Sequence, residues 1–187
     1  AAQVLGNGLP ILMISPCSSH ELRNWAADRY AAVADHAIEK LGMRVVLSGG
    51  PSELENKTGK VIESLMQNSV QNLIGKDTIR RSAALLQRAA VLLSPDSGPA
   101  HLASAIGTPV LGLYAATPSR RSGPYNSLDL CVDEYAGVAR QFKHKEPQQL
   151  RWGQRIEFPG VMDLIKTTAV IAKLDAFMNS PGKTFLQ

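Results

Sequence analysis

The chain has 187 residues, of which 44% are hydrophobic and 19% charged, which fits one α/β domain with its own core and excludes a disordered chain. The net charge of +4 suits an anionic partner, but aromatic residues make up only 5% and no stacking motif accompanies the basic residues, so we do not expect nucleic acid. No apolar run is long enough to span a bilayer, and two cysteines far apart exclude a disulfide framework and indicate a reducing, cytoplasmic compartment.

A polar loop follows the first predicted strand. Residues 11–15 are apolar and short enough for a buried strand, and Ser18, Ser19 and Arg23 come after them. Two hydroxyls and a guanidinium suit a phosphate group, because the guanidinium presents a planar fork of donors. The alternative is a polar turn that caps the following helix, whose apolar stripe ends at Gly42.

The second strand, residues 43–48, leads into a glycine-rich loop, where backbone can approach a ligand closely. A polar helix is predicted for residues 53–67 and a short third strand for residues 70–74. Glu53 stands at the start of that helix, where its carboxylate can accept hydrogen bonds from ribose hydroxyls. The alternative gives Glu53 no ligand: Ser52 caps the helix, and Glu53 only complements the helix dipole.

A strand, a polar loop, a helix and another strand occupy the middle of the chain. Asp77 or Thr78 first caps a helix that reaches residue 90. Residues 89–94 then predict a buried strand, residues 102–106 a helix of small residues, and residues 109–114 another buried strand. This alternation favours a three-layer, Rossmann-like α/β fold with a parallel sheet and right-handed crossovers.

The polar loop of that unit is the most informative segment. We expect Asp96 to orient the loop by accepting backbone N–H bonds, while Ser97 and Gly98 let an anion approach closely. Pro99 suits the first helical position, and His101 falls in the first turn, on the ligand side. Open α/β sheets bind ligands where strands end, and a helix start favours phosphate. The alternative is a capping aspartate beside a surface histidine.

The pattern is less regular after the fifth strand. Residues 115–126 predict a loop, and residues 128–132 a last strand. Residues 133–158 carry many basic residues without clear periodicity, and Gly160 begins a final helix that covers residues 160–179. We therefore predict one nucleotide-sugar-binding domain over the whole chain, with its core in residues 11–132.

The late basic residues predict either a solvated surface or a contact with a membrane or an acidic acceptor. These residues are Arg120, Arg121, Arg140, Lys143, Lys145, Arg151 and Arg155. No metal is expected, because the four histidines have no metal-ligand spacing.

Together these loops resemble the C-terminal domain of glycosyltransferase family nine, the ADP-heptose:lipopolysaccharide heptosyltransferases. The resemblance covers most of residues 11–118. The segments that carry it are Ser18, Ser19, Arg23 and Trp25; Gly49, Gly50, Pro51 and Glu53; residues 96–109; and Leu113, Tyr114, Thr117 and Pro118.

The resemblance implies the C-terminal lobe of a two-lobed GT-B enzyme. Such an enzyme transfers heptose from ADP-heptose to the inner core of lipopolysaccharide, with inversion and without a metal or other cofactor. The residues carried over by motif are Asp96, Ser97, Gly98 and His101 around the diphosphate and sugar; Ser18, Ser19 and Arg23 at the phosphates; Glu53 at the ribose; and Asp77 and Thr78 near the adenine.

Two departures and one absence qualify the resemblance. The family often has lysine where Arg23 stands. It also often has Gly-Pro or Gly-Ala before a Thr-x-Pro turn, where this chain has Ala115 and Ala116 and then Thr117 and Pro118 directly. The family's general base lies in the N-terminal lobe, so we expect no catalytic base here and no activity of the chain alone. The expected partners are a nucleotide-sugar donor, the lipopolysaccharide acceptor through the other lobe, and a peripheral contact with the inner face of the inner membrane.

Two alternatives stay open. One is another GT-B protein that uses a different sugar nucleotide, including an epimerase, although epimerases usually place two glycines after the Asp-Ser pair. The other is a non-catalytic domain that binds a nucleotide.

Overall fold

A computed structural model of the chain describes residues 8–76 and 78–180. Within them, six parallel strands form one sheet in the order β3-β2-β1-β4-β5-β6. The strands are β1 Ile11–Ile14, β2 Arg44–Leu47, β3 Gln71–Asn72, β4 Val91–Pro95, β5 Val110–Tyr114 and β6 Val132–Asp133. The chain runs outward in one direction from β1 to β3 and in the other from β4 to β6, so β1 and β4 flank the topological switch point.

Helices cover both faces of this sheet. They are α1 Ala27–Leu41, α2 Glu53–Leu65, α3 Ile79–Leu86, α4 Gly98–Ala105, α5 Ser119–Ser122, α6 Tyr135–Lys143 and α7 Thr167–Met178. Neighbouring strand residues point to opposite faces. Leu12 and Ile14 of β1 therefore join the apolar cluster that contains residues of α1, α6 and α7, whereas Met13 joins the cluster under α3 and α4. The three-layer prediction is confirmed.

Local signals explain where several helices start and stop. Ser52 caps α2 by accepting the backbone N–H of Glu55, and Thr78 caps α3 by accepting that of Arg81. Gly42 ends α1 in the left-handed conformation, with a φ of 60°. The structure therefore places Thr78 at the predicted cap of α3, whereas Asp77 lies outside the described residues.

Several predicted boundaries differ from those in the structure. The final strand is limited to Val132–Asp133, because Leu128–Leu130 form a 3-10 turn before it. A 3-10 turn, Val161–Leu164, likewise precedes α7, which begins at Thr167 rather than Gly160. The helix predicted to reach residue 90 already ends at Leu86, and the predicted loop 115–126 contains the short α5.

The segment 133–158 contains a helix that we did not predict from the sequence. In α6, Tyr135, Val138 and Ala139 are buried and Phe142 packs against the same core. These positions have the i, i+3, i+4, i+7 spacing of an amphipathic helix, so the signal was present in the sequence. The stripe is only two turns long and stands among charged residues, which obscured it.

The register of the central strands positions the loops of the site. Leu12, Met13 and Ile14 of β1 pair with Val91, Leu92 and Leu93 of β4. β4 continues past Leu93 to Pro95, but because the strands are parallel the loops that follow them lie at the same edge of the sheet. None of the helices in the described part of the chain is long and apolar enough to cross a membrane.

Candidate functional site

The loops after β1 and β4 bring charged side chains together at the switch point. Arg23 Nη1 lies 3.9 Å from Asp96 Oδ2, and both side chains are nearly buried, with 10% and 12% exposed. His101 Nε2 lies 3.6 Å from Asp96 Oδ1, and its side chain is 56% exposed. We call Arg23, Asp96, His101 and Glu157 the switch-point cluster. The sequence predicted three of its four members.

Hydroxyl groups fix the Asp96 carboxylate. Thr117 Oγ1 donates to Asp96 Oδ2 at 2.9 Å, and Ser122 Oγ donates to the same oxygen at 3.1 Å. Thr117 follows β5, and Ser122 belongs to α5. We expected Asp96 to accept hydrogen bonds from backbone N–H groups. In the structure it accepts them from the hydroxyls of Thr117 and Ser122. These bonds aim the carboxylate at Arg23 and exclude the role of a capping residue.

Glu157 is the member that sequence reasoning missed. Its Oε1 accepts from Arg23 Nε at 2.7 Å and lies 2.6 Å from Arg23 Nη2, while His20 Nε2 is 3.7 Å from its other oxygen. The backbone N–H of Ile156 donates to the carbonyl of Ala116 at 2.8 Å, which holds this segment beside the end of β5. A glutamate in an aperiodic segment gave no local signal, because the contact spans 134 positions of sequence.

The start of α4 is not capped by a side chain. Ser97 stands at the N-cap with extended backbone, but its hydroxyl pairs with that of Ser94 at 2.7 Å rather than with the helix. Pro99 occupies the first turn, and Gly98 is exposed. Free N–H groups at a helix start favour an anion. Because α4 directly follows β4, its start lies at the same edge of the sheet as the switch-point cluster.

The two serines after β1 differ in exposure. Ser19 is exposed, whereas Ser18 is buried and its backbone N–H donates to Asn24 Oδ1 at 2.6 Å. Within the described residues, the hydroxyls of Ser15 and Ser18 are buried without a hydrogen-bond partner. Buried hydroxyls usually have one, so this loop holds unused hydrogen-bonding capacity next to the cluster.

Glu53 and Thr78 lie one and two strands away from the switch point. Glu53 is exposed in the first turn of α2, after β2, and Thr78 is exposed at the start of α3, after β3. The carboxylate bound to the glycine loop is that of Glu55, which accepts from the Gly50 N–H at 2.7 Å and from Ser52 Oγ at 2.6 Å. The structure thus supports the capping role of Ser52 and adds Glu55, which we did not predict.

Nearby thiol and phenol groups stay protonated. Burial raises the pKa of Cys17, and the charge of Glu55 adds to this effect against an opposing hydrogen bond with Thr58. Burial likewise raises the pKa of Tyr114 well above its ordinary value and that of Cys131 to about 12. Because a thiolate is the reactive form of cysteine, neither cysteine suits nucleophilic catalysis.

The described residues contain no group of three or more histidine, cysteine, aspartate or glutamate side chains placed to hold a metal ion. The switch-point cluster combines a guanidinium, whose N–H donors suit a phosphate, with two carboxylates, which can accept hydrogen bonds from hydroxyl groups. The expectation of a metal-independent site stays a prediction.

A concavity of about 1080 Å³ lies at the opposite edge of the sheet. It is lined by Pro10, Ala90 and Pro109, which precede β1, β4 and β5. Its rim includes Gly8 and Ser180, the residues next to the undescribed ends of the chain. Ligands of open α/β sheets bind at the carboxyl ends of the strands, so the switch-point cluster is the better candidate site.

Comparison with known proteins gives a family match. Residues 1–151 match the family described as "Glycosyltransferase family 9 (heptosyltransferase)". The chain is 35% identical over 163 residues to the lipopolysaccharide core heptosyltransferase OpsX of Haemophilus influenzae. The aligned region covers 87% of this chain and 47% of that protein. The chain spans about half the length of the curated relatives it matches.

Solved structures agree with the fold. ADP-heptose lipopolysaccharide heptosyltransferase II of Escherichia coli superposes with a TM-score of 0.69 at 20% identity, over 91% of this chain and 46% of that one. The iron-containing dodecameric glycosyltransferase TibC of enterotoxigenic E. coli gives a TM-score of 0.60 at 15% identity, over 94% and 48%. At these identities the likeness concerns the fold, and it confirms the predicted GT-B-type α/β domain.

Proposed function

Because the chain belongs to glycosyltransferase family 9, we propose that it forms the donor-binding domain of an inverting enzyme that transfers heptose from ADP-heptose to the lipopolysaccharide inner core. The observation that carries this proposal is the position of the switch-point cluster. Arg23 and Asp96 meet at the carboxyl ends of β1 and β4, beside the uncapped start of α4. Nucleotides bind doubly wound sheets at such a point.

The donor lies across the ends of the strands from β4 to β3. Its diphosphate and sugar occupy the switch point, with Asp96, Ser97, Gly98 and His101 around them and Ser18, Ser19 and Arg23 at the phosphates. Neighbouring strands are about 4.8 Å apart, so the ends of β1 and β3 are separated by roughly 10 Å, the scale of a nucleoside. Glu53 then faces the ribose, and Thr78 faces the adenine.

The reaction is a single displacement at the anomeric carbon. A carboxylate of the family's N-terminal lobe takes the proton of an acceptor hydroxyl, and that oxygen attacks the anomeric carbon. The bond from this carbon to the diphosphate oxygen breaks, and ADP leaves with the electron pair. Arg23 and the N–H groups of α4 stabilise the charge that develops on the diphosphate. The chain alone is therefore expected to bind ADP without transferring heptose.

The acceptor meets this domain from the side of the other lobe, and the protein works in the cytoplasm at the inner face of the inner membrane. The basic surface of the late chain supports this proposal. Arg120, Arg151 and Arg155 are exposed, and Trp152, next to Arg151, is 76% exposed. Exposed arginines with a tryptophan suit an anionic lipid surface.

Thermal unfolding with nucleoside diphosphates tests the donor proposal. ADP is expected to raise the Tm more than UDP or GDP; at about 100 times its Kd a ligand adds roughly 2.7 kcal/mol of stability. Because TibC is described as iron-containing, the measurement is repeated with EDTA, which is expected to leave the ADP effect unchanged. Stabilisation by UDP but not by ADP contradicts the proposal and favours a different sugar-nucleotide enzyme.

Asp96→Ala provides the matching site variant. It is expected to remove the ADP effect and to keep a cooperative unfolding transition, because the fold rests on apolar layers away from this loop. Asp129→Ala is the control, since Asp129 is an exposed aspartate at the opposite edge of the sheet. A variant at Asp96 that unfolds globally, or one that binds ADP as well as the parent chain, assigns Asp96 a structural role only.

A further inference from the structure

Glu157 occupies the part of Arg23 that a phosphate needs. A guanidinium binds a phosphate through two parallel N–H donors. Arg23 Nε and Nη2 form such a pair, and Glu157 Oε1 lies within 2.7 Å of both. The remaining donor, Nη1, faces Asp96 at 3.9 Å. Without a ligand, each of the three guanidinium nitrogens therefore lies 3.9 Å or less from a carboxylate oxygen.

The charges around Arg23 oppose an anion as the cluster stands. One guanidinium faces two carboxylates, those of Asp96 and Glu157. Arg23 and Glu157 are both largely shielded from water, with side chains 10% and 21% exposed. A diphosphate placed here meets like charge at short range, where screening by salt is weak.

The two carboxylates are not held equally. Asp96 is fixed by the hydroxyls of Thr117 and Ser122 in addition to Arg23. The polar contacts of Glu157 in the described part of the chain are with Arg23 and His20, and His20 is 46% exposed. Glu157 is therefore the carboxylate that can leave Arg23 at the lower cost.

We propose that Glu157 is a competing counter-ion, which must release Arg23 when the donor's diphosphate binds and which returns to Arg23 when ADP leaves. The inference rests on the proposed donor site and adds an affinity-determining residue to it. The competition weakens ADP binding, and it favours product release because the guanidinium regains a partner as the diphosphate departs.

Calorimetric titration of the full chain with ADP tests this inference. Glu157→Gln removes the negative charge and keeps the shape of the side chain, so the Kd for ADP is expected to fall about tenfold, the scale of one partly screened like charge. Glu146→Gln is the matched control: Glu146 also pairs with an arginine, Arg140, at 3.0 Å, and the change in net charge is the same. This control is expected to leave the Kd unchanged.

Adenosine separates competition for the phosphate from a general change of the site. It has no phosphate, so the parent chain and Glu157→Gln are expected to bind it equally. Glu157→Ala, with its thermal unfolding recorded, serves as a second variant and is expected to tighten ADP binding as well. Weaker or unchanged ADP binding by both variants, or an equal gain for adenosine, overturns the inference. Failure of the parent chain to bind ADP refutes the proposed function instead.

Discussion

At the scale of a single residue, Gly153 forms the turn that leads to Glu157 of the switch-point cluster. It adopts a φ of +65°, and a Cβ at this position would overlap the side chain of Arg121. Arg121 lies across the glycine and donates from Nη1 to its carbonyl at 2.8 Å. The chain then passes Gln154, whose carbonyl accepts from Tyr135 at 2.6 Å, and reaches Glu157. The turn at Gly153 thus directs Glu157 towards Arg23.

Gly153→Ala is expected to destabilise the protein by roughly 2–3 kcal/mol, because it adds backbone strain and displaces Arg121. Gly107→Ala is the control for strain alone: its φ is +86°, and nothing lies within 4 Å of its Cβ position. This control is expected to cost about 1 kcal/mol. Urea unfolding measures both, and equal losses mean that the contact with Arg121 contributes nothing.

At the scale of elements, Asp35 ties α1 to the segment between α2 and β3. Its carboxylate accepts from the backbone N–H groups of Gln67 and Asn68, both at 2.9 Å, and from the side chain of Asn68 at 3.0 Å. Partial burial raises the pKa of Asp35, but these hydrogen bonds outweigh burial and lower it below its ordinary value. The carboxylate therefore stabilises the fold in its charged form.

Asp35→Asn replaces one acceptor oxygen with a donor and is expected to cost about 1 kcal/mol at pH 7. A lowered folded-state pKa contributes stability that is present above the unfolded pKa of about 3.9 and is lost as pH falls through the folded value. The difference between parent and variant therefore shrinks below about pH 4. Urea unfolding at several pH values checks this, with Asp129→Asn as the control. A difference that is constant with pH contradicts the role of the charge.

At the scale of the whole molecule, the net charge and the basic residues late in the chain bear on the proposed contact with an anionic membrane. The chain carries a net charge of +4. Of its two tryptophans, Trp25 is 3% exposed and Trp152 is 76% exposed. Of the two, only Trp152 can therefore contact a lipid surface. The hydrogen bond between Arg121 and Gly153 fixes the turn that carries it.

Sedimentation with lipid vesicles tests the proposed membrane contact. The chain is expected to bind vesicles that contain phosphatidylglycerol at low salt, to leave them near 1 M salt, where the screening length is about 3 Å, and to ignore pure phosphatidylcholine. Binding should shift the fluorescence of Trp152 to the blue, and Trp152→Phe should lose that shift because Trp25 stays buried. Equal binding to both lipids, or none at low salt, contradicts the proposal.

Much of the fold was predictable because its signals are local. The apolar runs of β1, β4 and β5 are flanked by polar loops, and hydroxyl caps mark the starts of α2 and α3. The last edge strand was not predictable in the same way. The two residues of β6 form a strand because they pair with Leu113 and Tyr114 of β5, and no pattern within two residues indicates this pairing.

The sequence by itself determined the alternation of strands and helices as far as β5 and the polar residues at the strand ends, among them Arg23, Asp96 and His101. These follow from apolar periodicity and helix-capping chemistry, which act over a few neighbouring residues. Only the tertiary structure decided that Thr117 and Ser122 hold Asp96 and that Glu157 neutralises Arg23. Such contacts join distant parts of the chain, and their strength depends on distance and burial, which a sequence pattern does not contain.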